Sequence, residues 1–273
     1  MATIGIWNVI FVIFFLAAIL ATGIKIVTST SWYKKNFAQR QYEWANLTRR
    51  VFDPLKRKLF SNLEQQLKST EGDVLEIGIG PGSNFDYYPQ GTSLIAVDSN
   101  PHVEESLKRN LEKAGRRIHL KKFVAASADD MSCNGEIGVE DNSVAAVVCT
   151  KLLCNLSDLE TRKTIEEVKR VLMPGGRIYF LEHIAAKPWT FQYFLQHLVT
   201  KFHIWPSLFN GCCCNQNTLS DIQNGGFKWV QYEKIFANCS HEMFSAPNNT
   251  YSIIWRARVI LYFVNIWLVG LAE

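Results

Sequence analysis

Residues 73 to 82 read Asp-Val-Leu-Glu-Ile-Gly-Ile-Gly-Pro-Gly, an apolar run that ends in closely spaced glycines. Such a run is a strand delivered into a tight ligand-binding turn, where a Cβ would block close approach of the backbone to a nucleotide-like group. A glycine triplet alone is weak evidence, so two further details carry the reading. Glu76 stands two residues before Gly78, where a carboxylate can meet a ligand's ammonium. The glycines fall as Gly78-x-Gly80-x-Gly82, whereas dinucleotide binders place the third glycine one position later. Together these favour S-adenosylmethionine over a nicotinamide cofactor.

A second apolar run, residues 93 to 98, ends in Asp98. A carboxylate about 20 residues after the glycine turn can accept both hydroxyls of a ribose. The alternative is a helix cap, because Pro101 opens a helical stretch through Gly115. A third strand, Ile118 to Ala126, leads into Ser127-Ala128-Asp129-Asp130-Met131. Adenine is gripped at this point in such folds, so Ala128 and Asp129 are expected beside it, with Asp129 facing the amino group and Asp130 the competing carboxylate. Arg177 to Leu181 forms a further strand and ends in Glu182-His183. Imidazole titrates near neutrality, which makes His183 the candidate base with Glu182 at its side; the alternative is that both only brace the strand end. Methyl transfer from a sulfonium is an in-line displacement, so alignment matters most, and a thiol acceptor that reacts as its thiolate needs little help from a base.

The elements that hold these residues follow from periodicity. Val144 to Thr150 is an apolar strand, and Asp158 to Leu172 repeats apolar residues at helical spacing before Met173-Pro174-Gly175-Gly176 ends it. Strand and helix alternate through residues 71–273. The fold class is therefore α/β, a doubly wound Rossmann-like sheet, mostly parallel, with ligands at the carboxyl ends of its strands. The apolar residues 259–264 and 266–269 read as a last, antiparallel strand. Phe191 to His203 is aromatic-rich and reads either as a lid over an apolar acceptor pocket or as an ordinary amphipathic helix. Cys212-Cys213-Cys214 read as loop cysteines, since three adjacent thiols cannot converge comfortably on one ion, and no metal is expected.

With 273 residues the chain can build one α/β domain and an attachment segment. Seven cysteines are an odd number without framework spacing and read as reduced thiols. Residues 4 to 24 are almost wholly apolar, long enough as a helix to span roughly 30 Å. They define an N-terminal membrane anchor, residues 1–28, that spans the bilayer or lies in one leaflet. The basic, helical residues 29–70 follow it. Nine Lys and Arg against Glu43 and Asp53 between Lys25 and Lys58 place the body on the cytosolic side and suit membrane lipids as partners. A bilayer would occlude those same charges, which argues against nucleic acid. Nothing calls for an obligate protein partner.

The donor motif, Asp98, Ala128-Asp129-Asp130-Met131 and Leu172-Met-Pro-Gly-Gly176 resemble the class I methyltransferases. Lys56-Arg-Lys-Leu-Phe-Ser-Asn-Leu63, Val147-Val-Cys-Thr150, Leu153-Cys154, Phe180-Leu-Glu-His183 and Gly211-Cys212 narrow the resemblance to the membrane-anchored thiol S-methyltransferases, over roughly residues 50 to 230. The resemblance implies methylation of small thiols at the endoplasmic reticulum or lipid droplets. Ala145 stands where relatives carry an aspartate, and Cys-Cys-Cys-Asn-Gln-Asn after Gly211 replaces the family's polar pattern. These departures touch the acceptor side, so a lipid or quinone acceptor, and a non-catalytic membrane adaptor, stand as alternatives.

Overall fold

The computed structural model describes residues 2–132, 135, 137–236 and 266–273. Seven strands form one sheet in the order β3-β2-β1-β4-β5-β7-β6. They are β1 (Asp73–Ile77), β2 (Thr92–Val97), β3 (Ile118–Val124), β4 (Val144–Thr150), β5 (Leu172–His183), β6 (Val230–Phe236) and β7 (Ile266–Ala272). Strands β1 to β5 pair in parallel, while β7 runs antiparallel to both β5 and β6. The Rossmann-like sheet and its antiparallel closing strand are therefore as expected. The sequence reading missed β6, whose residues 231–234 are all exposed and whose partner is remote in sequence. Of the apolar C-terminal residues, 266–269 lie in β7, while 259–264 lie outside the described residues.

Among the described residues eight helices accompany the sheet: α1 (Ala2–Ser29), α2 (Ser31–Leu59), α3 (Leu63–Thr70), α4 (Glu104–Ala114), α5 (Asp158–Val171), α6 (Phe191–Lys201), α7 (Ile204–Leu208) and α8 (Thr218–Asn224). Side chains alternate across each strand, so each strand feeds both faces. In β4, Val147 and Cys149 join Ile165, Val168 and Ile222 beneath α5 and α8. Ala146 and Val148 join Phe52, Phe60 and Leu63 of α2 and α3 on the other face. Helix α5 starts at a capping box in which Ser157 and Glu160 satisfy each other's backbone N–H groups. Its last turn gives way to β5 one residue earlier than the apolar repeat suggested, because Leu172 already pairs with Val144.

Strand β7 fits between β5 and β6 because Gly270 has no side chain. A Cβ there would sit 2.7 Å from the Phe180 ring and 2.9 Å from the Tyr232 backbone. Gly270→Ala is expected to lower stability by about 1–3 kcal/mol through overpacking. Urea unfolding monitored by circular dichroism checks this; an unchanged midpoint would show that β7 is loosely held.

Residues 4–24 lie within α1, where Trp7 and Phe11 are each 70 % exposed. Among the described residues no helix is long and apolar enough to cross a membrane. Helix α2 breaks at Thr30, whose hydroxyl accepts from the Tyr33 N–H, and then lies along the carboxyl edge of the sheet. Asn100 donates to the Lys34 carbonyl and the His102 ring meets Ser31, which ties the start of α2 to the loop after β2.

Candidate functional site

Sheet order reverses between β1 and β4, which opens a crevice at their carboxyl ends. The turn after β1 begins with Gly78 and Ile79 donating to the Val97 carbonyl. Gly80 has φ of 53°, a region that disfavours side chains, and a Cβ on it would sit 2.8 Å from Gln41 Nε2 of α2. Its N–H donates to Asp98 Oδ2 at 2.8 Å, and the Asn100 N–H donates to Oδ1 at 2.9 Å. Asn100, not Asp98, caps the helical turn that follows, accepting from His102 N–H. A carboxylate has about four lone-pair sites, so Asp98 keeps acceptor capacity for two hydroxyls. Burial raises its pKa, against the pull of the two backbone N–H groups.

Glu76 is fully buried in β1 and accepts from Asn84 Nδ2 at 2.8 Å and Tyr88 Oη at 2.6 Å. Burial pushes its pKa up to about 7, against those two hydrogen bonds. The same Asn84 amide donates to Thr150 at the end of β4, and its Oδ1 is buried with no hydrogen-bond partner among the described residues. A buried carboxylate beside an unsatisfied amide oxygen is an acceptor pair that fits an ammonium. With Asp98 positioned for a ribose, these residues fit S-adenosylmethionine. Farther along the edge, Ala128 is buried under the loop after β3 and Asp129 is half-buried beside it. Asp130 instead accepts from the Ser132 N–H and hydroxyl, which makes it the loop carboxylate of the pair.

The ends of β4 and β5 build a second cluster. Glu182 is fully buried and accepts from the N–H groups of Leu152 (3.0 Å) and Cys154 (3.2 Å) and from the Cys149 thiol. Burial pushes its carboxyl up to about 7, against those donors. Glu182 thus fastens the turn after β4 to β5. His183 is 1 % exposed, stacked on Trp267 at 4.8 Å and tilted against Trp205 at 5.4 Å. Its Nδ1 lies 3.5 Å from Cys212 Sγ. That sulfur also shares a hydrogen bond with the Cys154 sulfur and accepts from the Trp205 indole N–H, each at 3.4 Å. These partners, the Cys154 thiol foremost, hold Cys212 well below the usual thiol range, and the same bond raises Cys154.

A cleft of about 220 Å³ opens between α2, the turn after β1 and α4, lined in part by Arg49, Phe52, Lys56, Asp86, Lys113 and Lys151. Lys56 is buried and donates to the Ser83 carbonyl and hydroxyl at 3.0 and 3.1 Å. Burial, with Lys151 nearby, pulls its pKa down to about 7. Lys151, the first residue after β4, has φ of 61° and holds its ammonium 5.2 Å from the Phe52 ring centre. Residue types alone pointed to none of Asn84, Lys56, Lys151 or Cys212 as a site residue. The only local hint was the run of basic residues at 56–58, which reads equally as a solvated helix face.

The chain is similar to known proteins. A methyltransferase domain family matches residues 75–180. The thiol S-methyltransferase TMT1A of Homo sapiens is 36 % identical over 190 residues, covering 69 % of this chain and 73 % of that protein. TMT1B of the same organism is 34 % identical over 187 residues, covering 68 % and 72 %. Among solved structures, a methyltransferase of Thermotoga maritima superposes with a TM-score of 0.51 at 14 % identity, over 89 % of this chain and 99 % of that one. The last likeness is one of fold alone.

Proposed function

The chain belongs to the thiol S-methyltransferase family, and from that premise we propose that it methylates small apolar thiols at a membrane surface. It is an S-adenosylmethionine-dependent methyltransferase. When bound, the cofactor supplies a methyl group on a sulfonium, ready for in-line displacement. Glu76 and Asn84 would hold its ammonium, Asp98 its ribose, and Ala128 with Asp129 its adenine. The likeness to thiol S-methyltransferases supports the acceptor class, together with Lys151 at the end of β4, whose ammonium lies 5.2 Å from the Phe52 ring centre. A cation beside the acceptor would favour a thiolate over the neutral thiol, and the thiolate is the nucleophile.

In this reading the acceptor's proton passes to the cluster at the end of β5, with His183 as base and Glu182 holding the turn on which the acceptor rests. His183→Ala is expected to cost ~tenfold in kcat/KM at pH 6, where the acceptor is protonated, and little at pH 9, where it is already ionised. A loss equal at both pH values would reduce His183 to a packing partner of Trp267 and Cys212.

Attachment is assigned to α1, with residues 29–70 facing anionic headgroups and the catalytic domain facing the cytosol, at the endoplasmic reticulum or lipid droplets. The decisive experiment offers membranes containing the full chain a panel of small thiols and radiolabelled S-adenosylmethionine. Label transferred to thiols supports the reading. Label found only in lipid or quinone fractions replaces it with a lipid or quinone methyltransferase, and cofactor binding with no transfer to any acceptor leaves a membrane adaptor.

A further inference from the structure

Residues 1–42, which carry Lys25, Lys34, Lys35 and Arg40, contain no acidic residue, and neither do residues 183–220, which carry Lys187 and Lys201. The fold sets them side by side. Helix α1 packs on α7, and the Tyr33 hydroxyl at the start of α2 donates to the Ser207 carbonyl of α7 at 2.7 Å.

The second stretch also exposes apolar side chains in a pattern that core packing does not explain. Helix α6 turns Gln196 and Val199 inward, where Gln196 bonds the backbone of Ile184 and Ala186. Its outer face presents Phe191 (66 %), Phe194 (62 %), Leu198 (38 %) and Phe202 (43 %), at helical spacing, and Ile204 of α7 continues it. Trp189, just ahead of α6, is 99 % exposed. Water solvates such a patch poorly, and contiguous exposed apolar surface marks a binding face.

We propose that the outer face of α6 and α7 is a second bilayer contact, seated at the headgroup–acyl boundary of an anionic phospholipid surface. This rests on the membrane reading of α1 above. Helix α6 has an apolar face, lysines at its borders and a tryptophan at its rim, the composition of a helix that lies in the interface plane. Charge selects the bilayer over a second copy of the chain, since the face offers lysines and no carboxylate to pair with them across a two-fold axis. Behind this helix, Val199 and Trp205 pack against Cys154 and Cys212, so the face is backed by core.

The test reconstitutes the full chain into phosphatidylcholine–phosphatidylserine vesicles with brominated acyl chains and compares it with Trp189→Phe. Trp189 is one of 8 tryptophans, so its quenching should remove about an eighth of the emission, and this component should be absent from the variant. Phe191→Ser/Phe194→Ser should abolish the Trp189 component while the protein still floats with vesicles and still binds S-adenosylmethionine. Flotation without Trp189 quenching overturns this proposal and spares the membrane reading of α1. Failure to float overturns both. A dimer in sedimentation that the double variant dissolves would assign the face to a second copy instead.

Discussion

Asp98→Ala is expected to weaken S-adenosylmethionine binding by a hundredfold or more. Hydrogen bonds to a charged acceptor contribute about 1.5–3 kcal/mol each, and the two proposed to the ribose hydroxyls would both be lost. A second loss compounds the first. Asp98 also receives the N–H groups of Gly80 and Asn100, so its removal leaves two amides unpaired at the turn that cradles the ligand. Asp98→Asn separates the effects, because its amide oxygen can still accept from one of these while the charge is gone. Titration calorimetry reads the affinity, and thermal unfolding without ligand reads the damage to the turn. Unchanged affinity in Asp98→Ala would move the ribose elsewhere in the crevice.

Glu76→Gln is expected to abolish the pH dependence of cofactor binding. The folded-state pKa of Glu76 is raised to about 7 from the ordinary 4.5, with burial as the main cause. A neutral carboxyl gives an ammonium little, so affinity for S-adenosylmethionine should rise about tenfold per pH unit below 7 and level off above it. The variant should bind with a flat profile and, at pH 8, about a hundredfold more weakly. A sloping profile in the variant would assign the titration to another group. The sign for stability without ligand is opposite to that for binding. A carboxyl with a raised folded pKa stabilises the fold fully below pH 4.5, and that contribution is lost as pH rises through about 7. Glu182, also raised to about 7, acts in the same direction. Unfolding midpoints should therefore fall from pH 5 to pH 7.5 in the ligand-free protein, and each Glu→Gln variant should remove part of the fall.

The donor half of the site was legible because its logic is local. Within residues 73 to 98 a strand, a glycine turn and the end of the next strand follow one another with only a short 3-10 turn, Phe85–Tyr87, between the strands, so spacing specifies position. The capping box of α5 is local in the same way. Asn84 was missed although it lies in this window, because only its bond to Thr150, 66 residues away, reveals that its second amide atom is left over.

The acceptor half behaves differently. His183 reads as a free strand-end base, yet the fold buries it against Trp205 and Trp267 and gives it Cys212 as a partner. Cys154 and Cys212 are separated by 58 residues and meet at 3.4 Å. Gln41 likewise reaches Gly80 only because α2 folds back across the sheet edge. Residues 29–70 read as a basic strip, but Phe52, Leu59 and Phe60 on its inner side are core.

By itself the sequence determined the fold class and the methyl donor and nominated residues to cradle it, because strand periodicity and turn chemistry act over a few residues. Tertiary structure alone decided which lysines line the cleft, which sulfur the histidine faces and which side of α6 packs inward. Those outcomes depend on side chains brought together by sheet order and helix packing, and no spacing along the chain encodes them.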